Sequence, residues 1–543
     1  MAVRTVTSTV RVLEALPALL RGDSRVAVVF AYDATSAFND GILDLLRDAG
    51  CRVMPWSQLG DIVPDLILSA SENIDVPDGD CPVLVLPHGI GFQKLVPDSR
   101  AHRTRLSGVV PDSLLETGRA WLAVSHPDQE AQLLATHPKT SGRTLLIGDP
   151  CFDELSTSLP HAASYRQALG VADDQRLVVL SSTWGPTSLL AQDPELPARL
   201  LAALPYDEYR VAAVLHPNVW SAHGAWQIRT VLAPALEAGL LLMPAAHAWR
   251  PALVAAHAVV GDHGSVTLYG AALGKPVLLA SFGSDAVPGT AVGRLGRIAP
   301  RLDPREDMHG QIESAVRNHT ADRYTEISQL AFAEPGQALP RLRTALYHLL
   351  KLAEPGSAPP PSPLTLPRPD TPTATVTVTA WMVSTTVGSE AAQHPVITIR
   401  RHPATVSGVA GEDADGYVHL ACDEEERDHR LAESASVLIR RAPAATTVIA
   451  LRWIQDTLKR LPGSRLAATA LSEGGCLMGL RDGRIVEATV TGPAADPGLS
   501  AALVYTCLRA GLSLDSTCVT LRIGSVRDTE VGLRLRNPRP ATR

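Results

Sequence analysis

The stretch "VVGDHGSVTLYGAALGKPVLLASF", residues 259–282, decides how the chain is read. It begins as an apolar run, breaks at Gly261-Asp262-His263-Gly264-Ser265 and resumes with helical spacing. It then stops at Gly274-Lys275-Pro276, before a second apolar run. Two apolar strands joined by a helix are the unit of a parallel sheet, whose strands need a crossover of a dozen residues or more. The polar turn between them has two readings. Ser265 caps its own helix, as any strand–helix turn would ask. Alternatively the helix start is left open for a phosphate, with Gly264 admitting it to the backbone and free amides near Ser265 and Thr267.

The same alternation fills the first 350 residues. Apolar runs recur at 25–32, 65–70, 82–89, 120–126 and 143–149, then at 176–183, 210–217, 240–244, 257–264 and 276–282. Segments such as 39–50 and 194–204 between them carry amphipathic helical spacing. The pattern predicts an α/β fold with two Rossmann-like domains, residues 1–160 and 161–353, facing a cleft. The stretch "EPGSAPPPSPLTLPRPDTPTA", 354–374, reads as a semi-rigid Pro-rich linker. Residues 375–543 then read as a separate α+β domain, with strands at 375–383, 395–401, 446–451, 484–492 and 518–526 and helices near 451–461 and 498–511. The acidic run 423–428 reads most simply as a solvated helix start. The role of this domain is not legible.

Ligands of parallel sheets lie beyond the carboxyl ends of the strands. In this chain the strand ends carry His88-Gly89, Ser182-Thr183-Trp184, His216-Pro217 and Asp262 to Ser265. His88, in "LPHGIGFQK", is suited to take a proton from an attacking hydroxyl or, more plainly, to bond a neighbouring carbonyl. His216, in "LHPNVW", would contact a phosphate, assist His88, or serve only the turn.

Composition narrows the classes. The chain has 543 residues, enough for three domains, and a formal net charge of −7 with no basic run, which argues against nucleic acid as a partner. Seven cysteines without a CxxC pair read as reduced thiols of a cytoplasmic protein. Cys151 as a nucleophile is the lesser reading against burial. Residues 1–25 lack the apolar core and cleavage site of a signal peptide. No window approaches the roughly 20 apolar residues of a spanning helix, so membrane contact would be peripheral. Walker, GxSxG and HExxH motifs are missing, which excludes the NTPases, hydrolases and zinc proteases they mark. No cofactor and no metal are expected; Asp413, Asp415 and His419 are a weak metal grouping.

The blocks "LPHGIGFQK", "GDPCFD", "LSSTWGP", "LHP" and "GDHGSVTLYGAALGKPVLL", in that order over residues 25–350, resemble GT-B-type transferases. They are most similar to the CDP-glycerol glycerophosphotransferases of teichoic-acid synthesis. The resemblance implies transfer of a nucleotide-activated glycerophosphate or sugar to a hydroxyl acceptor. It implies His88 as acceptor-activating base and His216 as the second essential His. It places Thr183, Asp262, His263, Gly264, Ser265 and Thr267 around the donor phosphates. Cys151 and Ala213 occupy positions where that family carries arginines, and Lys94 stands one residue later than its lysine. Sugar-nucleotide epimerases share this pattern, and a non-catalytic binding protein would keep the fold alone.

Overall fold

The computed structural model describes residues 1–97, 104–246, 248–356, 362–367, 376–388, 394–406, 416–490, 496–525 and 527–536. Each of the ten apolar runs read in the first 350 residues carries a strand. Among the described residues they join two parallel sheets. The first runs Val53–Pro55, Phe30–Tyr32, Ala2–Val3, Ile67–Ser69, Val83–Val85, Ala120–Val124, Thr144–Leu146 from edge to edge. The second runs Leu241–Leu242, Tyr209–Leu215, Arg176–Ser182, Ala258–Gly261, Val277–Leu279. Numbered along the chain, these are orders 3-2-1-4-5-6-7 and 3-2-1-4-5, the doubly wound pattern.

Two strands of these sheets escaped the sequence reading, Ala2–Val3 and Val53–Pro55. The first matters most, because it pairs with both Phe30–Tyr32 and Ile67–Ser69 at the centre of its sheet. Two residues are too short to show a period. The helix after them, Val6–Leu19, did carry a signal, because Thr5 and Ser8 form a reciprocal capping box at its start. Helix Ala338–Leu349 returns to the first sheet, where Leu342, Leu346 and Tyr347 share a core with Val3, Val12 and Leu16.

The two sheets are clasped by backbone. Leu95 N donates to Asp285 O at 2.8 Å, Val287 N to Gln93 O at 2.9 Å, and Val292 N to Gln93 Oε1 at 3.1 Å. This clasp fixes the facing strand ends against each other.

The Pro-rich stretch is not a free spacer throughout. Leu364 is buried, its N donates to Ser158 Oγ (2.9 Å), and its carbonyl accepts from Tyr165 Oη (2.7 Å). Residues 357–361 and 368–375 lie outside the described residues.

The α+β expectation for the last region resolves into a closed nine-stranded barrel, from Ala380–Gly388 to Arg527–Arg536, among the described residues. Helix Pro497–Ala510 packs against strands around the barrel and is buried on all sides from Pro497 to Cys507. That burial suits its largely apolar run "GLSAALVYTCL", in which Ser500 and Thr506 are the polar members. The strand expected at 446–451 is instead the start of helix Thr447–Arg460. Thr446 Oγ1 accepts from the amide of Ile449, and Val448 and Ile449, which made the stretch look like a strand, are exposed on the first turn. Of the weak metal grouping, Asp413 and Asp415 lie outside the described residues, and no cluster of three metal-type side chains occurs among those described. No helix among them is long and apolar enough to cross a membrane.

His419 lies inside the barrel, its ring 4.2 Å from that of Tyr505, with no hydrogen-bond partner for either nitrogen among the described residues. Burial pushes its pKa down to about 3. The folded value lies below the unfolded value of about 6.5, so the unfolded chain binds the proton better in that interval. The neutral ring's contribution to stability is therefore complete above pH 6.5 and lost as pH falls towards 3. In His419→Phe, the gap in melting temperature between pH 7 and pH 4 should be smaller than in the wild type. Calorimetry checks this, and an unchanged gap contradicts it.

Candidate functional site

Both sheets reverse their order between the first and fourth strands, and the two reversal points face each other. In the first sheet Thr5, Ser71 and Glu72 follow those strands; in the second, Thr183, Trp184 and His263 to Ser265 do so. They line one cavity of about 410 Å³, together with His88 to Gly91, Lys94, Arg105 and His216. Strand order alone therefore brings the polar strand ends to one place.

The opening turn closes around Asp262. Its Oδ2 accepts from the amides of Thr183 (2.8 Å) and Leu189 (2.9 Å), and its Oδ1 from that of Gly264 (2.9 Å). The carboxylate thus ties the two central strand ends together behind the cavity wall. Thr267 also lies behind that wall. It is fully buried, packed so closely under Gly261 that an added Cβ there would stand 2.2 Å from Thr267 Oγ1. Neither side chain borders the cavity.

His263 is buried, with Nδ1 accepting from the Gly283 amide at 3.1 Å. Its proton is then on Nε2, which faces Asp285 at 3.1 Å. Burial, followed by the charge of Lys94, keeps this imidazole below its usual pKa. Asp285 also takes Lys94 Nζ at 3.0 Å and Thr187 Oγ1 at 3.0 Å. One carboxylate so links the donor-motif histidine to the lysine across the cleft.

Helix Ser265–Ala272 starts at Gly264 without a side-chain cap. The sequence allowed Ser265 to cap its own helix, but its Oγ accepts instead from the amide of Ile90, across the cleft, at 3.3 Å. Among the described residues, nothing accepts from the amides of Ser265, Val266 and Thr267. Gly89 leaves room for this contact: an added Cβ would stand 2.7 Å from Ser265 Oγ. The His88 turn is thereby seated directly on the helix start.

His216 Nδ1 accepts from the Asn218 amide at 3.1 Å, which leaves the ring proton on Nε2. Burial, then the charges of His88 and Lys94, push its pKa down to about 3. It is a neutral donor near physiological pH and not a base. Trp184 stands beside it, ring centroids 6.4 Å apart, with Lys94 Nζ 5.8 Å from the indole centroid.

Cys151 borders the cavity, but burial raises its thiol far above the usual range, so it is no nucleophile. The sequence reading passed over Glu72 and Arg105. Glu72 ends the run "DLILSASE", where the strand-end rule already pointed. Arg105 stands in a hairpin, Leu95–Pro97 with Thr104–Leu106, that no periodicity announces.

No family model matches the chain, and no curated protein does. Solved structures similar to it include the wall teichoic acid polymerase TagF, at 11% identity over 64% of this chain and 88% of that one, TM-score 0.44. They also include the UDP-GlcNAc 2-epimerase from Neisseria meningitidis bound to UDP-GlcNAc, at 14% identity over 64% and 98%, TM-score 0.40. A third is the S. aureus MnaA-UDP co-structure, at 12% identity over 66% and 98%, TM-score 0.41. The resemblance read in the sequence, to GT-B enzymes of the teichoic-acid type, has such an enzyme among these neighbours.

Proposed function

We propose that the protein is a GT-B-type transferase that moves a nucleotide-activated glycerophosphate or sugar to a hydroxyl acceptor. On this reading residues 1–160 present the acceptor, residues 161–353 hold the donor, and 354–374 link them to the last domain. The observation that carries it is the uncapped start of helix Ser265–Ala272 lying against the His88 turn. Unpaired amides at a helix N-terminus are costly unless water or an anion satisfies them, and the helix dipole favours the anion.

The acceptor hydroxyl attacks the carbon or phosphorus bonded to the leaving phosphate oxygen. His88 takes the hydroxyl proton as the new bond forms. The bond to the nucleotide breaks, and the negative charge on the departing phosphate is received by the amides of Ser265 to Thr267. His216, neutral and with a proton on Nε2, donates a hydrogen bond to a phosphate oxygen. Lys94, paired with Asp285, and Arg105, paired with Glu72, are cations that border the cavity together with Cys151, which stands where the resembled family carries an arginine. Asp262 and Thr267 act through the wall, by holding the Thr183 and Gly264 turns in place.

A panel of CDP-glycerol, CDP, UDP-GlcNAc and UDP tested by thermal shift checks the reading. A ligand at 100 times its Kd adds about 2.7 kcal/mol of stability, which is several degrees in melting temperature. At least one nucleotide should raise the melting temperature of the wild type, and Gly264→Val should abolish that rise. A flat response to the whole panel at millimolar concentration would remove the donor site.

A further inference from the structure

Strands Ile67–Ser69 and Val83–Val85 are adjacent and parallel, with Ser69 opposite Val85. Three residues beyond each pair member stand Glu72 and His88, so both leave their strands at the same level. Neighbouring strands lie about 4.8 Å apart. Both side chains border the cavity, and neither is exposed. We infer that Glu72 is the positioning residue of His88, a buried carboxylate that stabilises the imidazolium formed when His88 takes the acceptor proton. This role rests on His88 being the base, as proposed for the transfer reaction.

Three features support it. Glu72 is 8% exposed, and its Oε1 accepts from Arg105 Nη2 at 3.1 Å, with the same Nη2 3.1 Å from Asn73 Oδ1. The guanidinium fixes the carboxylate from the side of the hairpin. Burial by itself raises the Glu72 carboxyl, but the charges of His88 and Arg105 outweigh it, so the group is held below the usual carboxylate range. It stays ionised at any pH where a base would work, and it serves as a fixed negative charge. A fixed negative charge near an imidazole favours its protonated form without itself accepting the proton.

Other charged and titratable groups share the cavity with His88, His263 among them. Arg105 comes from the hairpin, Lys94 from the clasp, His216 from the second sheet, and Arg11 and Glu14 border the same cavity from helix Val6–Leu19. Glu72 is the one from the neighbouring strand end.

The test needs no substrate. In the full-length chain, the rate at which diethyl pyrocarbonate modifies His88 is followed against pH by mass spectrometry of its peptide. Only the neutral ring reacts. In Glu72→Gln the half-maximal pH should fall by roughly half a unit to one unit, as loss of a nearby opposite charge requires. Glu72→Asp, which keeps the charge, should return most of that shift. An unmoved midpoint in Glu72→Gln overturns the inference. If that variant does not fold, the Glu72 carboxyl carbon in wild-type protein labelled with 13C-glutamate gives the answer. It should show a step at the pH of the His88 midpoint, and a flat response there overturns the inference equally. Normal turnover in His88→Ala would sink the base reading, whereas the midpoint shift reports the pairing whether or not the base reading holds.

Discussion

His88→Ala should lower turnover by roughly 100-fold or more, the ordinary contribution of a positioned general base, while donor affinity changes little. The split comes from where the two groups sit. On the proposed reading the donor is held by the second-sheet side of the cavity, at the amides of Ser265 to Thr267, and loss of the imidazole leaves those amides as they were. Backbone contacts of this turn are also preserved, because it is the Ile90 amide, not the His88 ring, that bonds Ser265 Oγ. Steady-state kinetics with the nucleotide found by thermal shift, together with donor titration of the variant, separates kcat from binding. Unchanged kcat would remove His88 from the mechanism. Lost donor binding at normal kcat would make it a ligand contact.

Arg401→Met should destabilise the seam between barrel and second sheet by about 3 kcal/mol, at the lower end for breaking a buried ion pair. Arg401 is 5% exposed in its side chain, and its guanidinium holds Asp207 at 2.5 Å and Asp496 at 2.8 Å. Burial opposes its charge, but the two carboxylates outweigh this and raise its pKa. The lower end applies because both carboxylates keep some water contact, at 14% and 21% exposure. Tyr206 N also donates to Arg401 O at 2.7 Å, and Ser525 Oγ to Glu208 Oε2 at 2.8 Å, so the seam is polar and depends on geometry. Denaturant unfolding should show the loss, and Asp207→Asn should add little to it, because the two share one interaction. Additive losses would mean that the pair is not coupled.

What the sequence determined by itself is the parallel α/β organisation of the first 350 residues. Strands buried on both faces must be continuous apolar runs, and crossover helices must be amphipathic, so both periods are written locally. The strand-end rule also located His88, Thr183, His216 and the Asp262–Ser265 turn without any tertiary knowledge. It could not separate side chains that face the cavity from those that brace it. Asp262 and Thr267 look like ligand groups in the string, yet one is consumed by three backbone amides and the other is packed beneath Gly261. Ser265 looks like its own helix cap, and only the approach of Ile90 from the other sheet shows where its hydroxyl goes. The central strand Ala2–Val3, the hairpin that brings Arg105, the Glu72–His88 level and the closed barrel were decided by the tertiary structure alone. Each depends on hydrogen bonds and contacts between segments far apart in the chain, and such pairing leaves no period in either segment.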